Sequence, residues 1–309
     1  MLELLEALLG STLEYAPALA FGALGATLSE RAGVVNVAVE GMMRVGAFAA
    51  AVAALAVPTP VGVLVGMAAG LALAAVHGWF SISLRADQVV SGMAINLVAL
   101  AGVTFFLESQ FGPSTSPPIT PLSRWGIPGV ESVPLIRALS GRTALTWLAL
   151  VLPFLFHVFL WRTPWGLRVR AVGEKPAAAA TLGVRVNALR HACVLGAGAL
   201  AGLGGAALST ATLDRFEHNM PAGLGFMAVA AMVFGRWTPL GAFGAALFFA
   251  FGNALRIGLA SSAPGLLEVV PQGALLALPY ALTLIALSIQ GGRTRAPAAL
   301  GTAWRPESR

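Results

Sequence analysis

Charge is the scarcest property of this chain. Asp, Glu, Lys and Arg make up 10% of its 309 residues, where a soluble domain carries roughly 25%. Too few charges remain to cover a globule with a hydrated surface. This excludes a soluble enzyme, a nucleic-acid-binding domain and a disordered chain. Lysine is nearly absent, with Lys175 standing against 18 arginines. A P-loop requires Gly-Lys-Ser/Thr, and Lys175 is followed by Pro176, so this chain carries no Walker motif. Cysteine occurs once, at Cys193, which excludes an internal disulfide and a multi-cysteine metal site. The four histidines, His77, His157, His191 and His218, lie far apart in sequence. No HExxH, GxSxG, CxxC or GxGxxG pattern occurs, so no catalytic constellation emerges and no cofactor is expected in this chain. Residues 1–9 carry Glu3 and Glu6 where a cleavable signal peptide would be basic.

What is present is oil. Hydrophobic residues make up 57% and the mean hydropathy is +0.82, which specifies an integral membrane protein. A spanning helix needs about 20 apolar residues. Candidate spans are Ala16–Leu28, Val45–Val57, Val61–Leu84, Gln88–Leu107, Ala144–Trp161, Ala192–Ala211, Leu240–Leu259 and Val270–Ile289. Gly223–Phe234 is a ninth, shorter apolar stretch. The runs are continuous and do not alternate, which disfavours a β-barrel. The expectation is an all-α polytopic membrane protein with about eight spans plus one short or broken helix, residues 1–309 forming one transmembrane domain.

The arginines orient it. With 162–190 placed inside, the inner side holds Arg31, Arg44, Arg85, Arg162, Arg168, Arg170, Lys175, Arg185, Arg190, Arg236, Arg293, Arg295, Arg305 and Arg309, which is 14 of the 19 basic residues. That bias matches the positive-inside rule and predicts an outer N-terminus and an inner tail over 290–309. Glycines spaced by four, Gly62, Gly66 and Gly70 and again Gly198 and Gly202, suit close helix approach in lipid.

Two polar segments interrupt the hydrophobic pattern. Residues 108–142 contain prolines at 113, 117, 118, 121, 128 and 134, and proline fixes φ and removes a donor. They read as an irregular external loop. Residues 162–191 are the most charged stretch and fall inside. There Pro176 can start a short helix through Ala177–Leu182, which Gly183 can stop. Polar groups at or near spans are costly in lipid, so they face a cavity or another helix. Asn36, Glu40, Asn96, Asn253 and Arg256 are such groups; interhelical hydrogen bonding is the plainer role for each.

Four blocks then resemble one family. LSERAGVVNVAVEGMMRVGAFAA (28–50), ADQVVSGMAINLVA (86–99), GLRVRAVGEKPAAAATLGV (166–184) and GLGFMAVAAMVFGRWTPLGAFGAALFFA (223–250) occur in the order seen in permease subunits of bacterial ABC importers for nucleosides, simple sugars and branched-chain amino acids. Closest is the nucleoside and simple-sugar branch, and riboflavin importers share the architecture. The resemblance implies a multi-pass protein of the bacterial cytoplasmic membrane that imports a small neutral solute. It implies a second unlike permease, ATPase subunits that bind the ATP and Mg, and an extracytoplasmic substrate-binding lipoprotein. The matching coupling positions toward the ATPase are Gly166, Arg170, Ala171, Gly173, Glu174, Pro176, Ala178 and Gly183, with Lys175 replacing the family's usual asparagine. Asn36, Glu40 and Gly41 match an Asn-x-x-x-Glu-Gly block assigned to the pathway or its inner gate. With Asn96, Asn253 and Phe226 they could supply amide partners and an aromatic wall to a neutral polar solute. A stand-alone ion-coupled transporter is the alternative, and it would more usually carry mid-span acids.

Overall fold

The computed structural model describes residues 2–127, 129, 134–262 and 296–305. Its elements in chain order are α1 (Leu2–Arg31), α2 (Val39–Ala54), α3 (Thr59–Gly78), α4 (Gln88–Phe111), β1 (Arg124–Trp125), α5 (Pro134–Arg137), β2 (Arg142–Thr143), α6 (Ala144–Arg162), α7 (Pro164–Glu174), α8 (Pro176–Thr181), α9 (Val186–Ala207), α10 (Leu224–Phe234) and α11 (Pro239–Ser262). π-helical turns extend α3 through Trp79–Ser83 and α9 through Leu208–Thr212. Six helices, carried by α1, α3, α4, α6, α9 and α11, are long and apolar enough to cross a membrane among the described residues. The sixteen-residue α2 and eleven-residue α10 are shorter. The expected span Val270–Ile289 lies outside the described residues.

Two boundaries differ from expectation. α1 starts at Leu2, not near Ala16. Glu6 and Glu14 break its hydropathy but pair with Arg137 and Arg124 of the external segment, at 2.5 and 2.6 Å. α2 starts at Val39, six residues before the apolar run, because Glu40 and Arg44 are buried here rather than at a surface.

Helices α2, α3 and α9 meet at their glycines. A Cβ built on Gly46 would stand 2.5 Å from the Gly202 Cα, one on Gly66 2.5 Å from the Gly46 oxygen, and one on Gly70 2.6 Å from the Gly202 Cα. Only hydrogen fits between these backbones. In lipid, where apolar burial gives little drive between helices, such close contact supplies the dispersion energy of packing.

Cross-chain bonds sort the connections onto two sides. On one side Thr59 Oγ1 donates to the Thr120 carbonyl, Ser116 N to the Phe216 carbonyl and Leu122 N to the Thr210 carbonyl. β1 pairs antiparallel with β2 on the same side. On the other side Ala299 N bonds to the Gly173 carbonyl and Gly301 N to the Gly33 carbonyl. The segment 296–305 therefore lies with the basic stretch 162–191, on the side that the charge bias makes cytoplasmic.

Candidate coupling surface and translocation site

The basic segment 162–191 holds two helices rather than one. Thr163 caps α7, its Oγ1 accepting from Gly166 N at 3.1 Å, and Pro164 takes the first turn, where its missing N–H is no loss. Lys175 ends α7 and precedes α8, which covers nearly the stretch expected as a helix. Gly183 then turns the chain at φ +81°, a conformation open to glycine. The eight coupling positions divide into two sets. Gly166, Arg170, Gly173 and Glu174 hold the segment to the bundle. Gly166 abuts the Phe159 and Leu160 backbone, and Gly173 abuts the Arg31 carbonyl. Arg170 Nε donates to the Leu160 carbonyl at 2.9 Å, and its guanidinium stacks over Trp161, as does that of Arg31. Glu174 accepts from Ala298 N at 3.2 Å. Ala171 is half-buried beside them, whereas Pro176, Ala178 and Gly183 lie toward the outer tip. There Leu182 is 85% exposed, with Trp165 and Leu167 also exposed.

Between α1 and α2 the chain runs non-helically through the bundle. Buried backbone polar groups at this depth need partners, and side chains from other helices supply them. Val35 N donates to Gln88 Oε1 at 2.7 Å, and His77 Nε2 lies 3.0 Å from the Val35 carbonyl. Asn96 bridges both sides of the break, donating to the Val37 carbonyl at 2.9 Å and accepting from Gly41 N at 2.8 Å. Asn36 is fully buried; its amide nitrogen lies 3.8 Å from Met42 Sδ, and its Oδ1 has no partner among the described residues.

A second break faces the first. Residues 213–223 descend from the outer side to α10, and Glu40 meets its start. The carboxylate accepts from Gly223 N at 2.9 Å and Gly225 N at 2.7 Å. Free N–H groups and the positive end of the dipole make a helix N-terminus a natural carboxylate site. Arg44 stands one turn along α2, 4.0 Å from the same carboxylate, and donates to the His218 carbonyl.

Beside the start of α10 lies an open cavity of about 450 Å³, on the side of the 108–142 segment. Asn253 and Arg256, three residues apart on α11, line it together. So do Tyr15, Thr212, Glu217 and Asn219. Asp214 and Arg215 pair with each other at 2.7 Å, the guanidinium holding the Asp214 carboxyl below its usual range.

The five pathway candidates thus fall into three places. Asn36, Glu40 and Asn96 gather at the α1–α2 break, Asn253 lines the outer cavity, and Phe226 lies exposed on α10. Composition missed Arg44, Gln88 and His77 at the break, and Tyr15, Glu217 and Asn219 at the cavity. Their signal was polarity within or beside an apolar run, which alone does not say what a side chain meets.

Broken helices filled by side-chain partners, an open cavity and a protruding basic hairpin define a multi-pass transport permease. The chain belongs to the family described as branched-chain amino acid transport system / permease component, whose model matches residues 8–287. It is 40% identical over 311 aligned positions to the guanosine ABC transporter permease protein NupQ of Bacillus subtilis, covering 97% of each chain. It is 36% identical to the nucleoside ABC transporter permease protein NupC of Lactococcus lactis, over 96% of each. It is 38% identical to the putative glucose ABC transporter permease protein TsgC13 of Haloferax volcanii, over 81% of this chain and 77% of that one. No solved structure matches. The chain is accordingly a multi-pass cell-membrane permease component of an ABC importer, and a transporter subunit rather than an enzyme.

Proposed function

We propose that this chain forms part of the transmembrane path of an ATP-driven, binding-protein-dependent importer of nucleosides. The observation that carries this is the 40% identity to a guanosine permease over 97% of both chains. The partners are a second, unlike permease, ATPase subunits that bind ATP and Mg, and an extracytoplasmic lipoprotein that delivers the solute. The α7–α8 hairpin is the part that meets the ATPase. Its inner residues Gly166, Arg170, Gly173 and Glu174 fasten it to α1, α6 and the 296–305 segment, so a push on the exposed tip moves several elements together. Asn36, Glu40 and Asn96 set the inner gate by holding the two helix breaks in register. A neutral nucleoside needs no fixed counter-charge, in keeping with pathway candidates that are mostly amides.

The test is uptake of labelled guanosine into proteoliposomes holding this permease with its partner permease, ATPase and lipoprotein. Uptake that requires enclosed ATP and the lipoprotein is expected. Uptake by this chain alone, driven by an ion gradient and indifferent to ATP, would refute the reading.

A further inference from the structure

We propose that the outer cavity above α10 is a receiving site for a 6-oxopurine nucleoside, with Glu217 and Arg256 reading the hydrogen-bonding edges of its base. This rests on the nucleoside reading above and adds to it a place and a basis for selectivity. The cavity volume of about 450 Å³ lies within the range of roughly 300–1,000 Å³ usual for small-ligand sites. Its outer wall is the 213–223 segment, where Glu217 bridges to Thr115 of the external loop. Its floor is the start of α10, which Glu40 anchors. A solute released outside therefore reaches this cavity before it reaches the α1–α2 break.

The lining has the chemistry of such a base. A guanine edge offers two adjacent donors, N1–H and the N2 amine, which a carboxylate accepts side by side. The same base offers O6 and N7 as adjacent acceptors, which a guanidinium fork fits. The cavity presents one group of each kind, Glu217 and Arg256. Asp214 and Arg215 satisfy each other outside it. The lining thus carries one charge of each sign, which suits a neutral solute. Among the described residues neither Glu217 nor Arg256 has a side-chain hydrogen bond or an ion pair. Tyr15 adds an aromatic side chain to the lining for the base, and Thr212, Asn219 and Asn253 offer hydroxyl and amide partners for a ribose. An adenine base presents an amine where guanine presents O6 and lacks both donors that Glu217 would accept, so this lining discriminates against it.

The experiment compares maximal uptake rates of guanosine and adenosine by the complete reconstituted complex, with the lipoprotein saturated by each in turn. For Glu217→Gln the guanosine rate is expected to fall about tenfold or more, as a lost base-edge contact does, and the adenosine rate by less than about twofold. Co-purification of all subunits checks assembly. Should that variant fail to assemble, Arg256→Lys, which keeps the charge but loses the fork, decides by the same ratio of rates. An equal fall for both nucleosides, or none for either, overturns this inference alone. A wild-type complex that transports neither nucleoside overturns the nucleoside reading and this inference with it.

Discussion

Replacing Glu40 by alanine should release α10 from α2. In the native chain the carboxylate takes the first N–H groups of α10, at 2.9 and 2.7 Å, and it is 7% exposed. Each bond to a charged acceptor contributes about 1.5–3 kcal/mol. Truncation also leaves Arg44 buried beside a vacated partner, and removing one member of a buried pair costs about 3–5 kcal/mol. The two accounts overlap, because both charge the same desolvation, so the expected loss is about 3–5 kcal/mol in all. The measurement is hydrogen exchange at the Gly223 and Gly225 amides of the purified permease. At 1.4 kcal/mol per factor of ten, about 3 kcal/mol raises exchange there roughly a hundredfold. Glu40→Gln keeps an acceptor for one amide and should fall between the two. Unchanged protection at both glycines, with the protein folded, would show that the carboxylate does not hold this helix.

At the cytoplasmic hairpin, Glu174→Lys breaks the contact with Ala298 N, and Pro176→Gly loosens the start of α8. Either should reduce solute moved per ATP hydrolysed, about fivefold or more, while membrane insertion persists, read from parallel uptake and phosphate-release assays. Gly66→Ala places a methyl 2.5 Å from the Gly46 oxygen; thermal unfolding of the detergent-solubilised chain should show a loss of about 1–3 kcal/mol. Gly102→Ala, where nothing lies within 4 Å of a new methyl, should stay within about 0.5 kcal/mol in the same assay. Asp87→Ala removes the acceptor of Val89 N and Val90 N, and should cost about 1 kcal/mol of unfolding free energy.

Hydropathy located the cores of α3, α4, α6, α9 and α11 because their outward faces meet lipid, and long apolar composition is what lipid demands. It failed where acids and arginines find partners inside the protein. Glu40 read as a pathway or gate residue and Arg44 as an inner-side charge, yet each meets a group supplied from about 180 residues downstream. A local window does not contain that information. The hairpin was half legible. Pro176 and the alanines announced α8, whereas α7 lies in a stretch whose arginines and glycines read as loop. Its real signals were Thr163 and Pro164, a cap followed by a first-turn proline. The outer cavity was the least legible part, since Tyr15, Glu217 and Arg256 come from three separate stretches and share only a place in space.

The segment 296–305 has a consequence for biogenesis. Arg190 is 1% exposed and donates to the carbonyls of Ala32 and Thr302, while Gly33 and Gly173 accept from Gly301 and Ala299. Residues near 33, 173 and 190 are synthesised first, yet their shared knot closes only when residues near 300 leave the ribosome. Until then a guanidinium destined for the interior lacks its Thr302 acceptor. This face is therefore the last part of the molecule to close, and its closure follows delivery of the preceding helices.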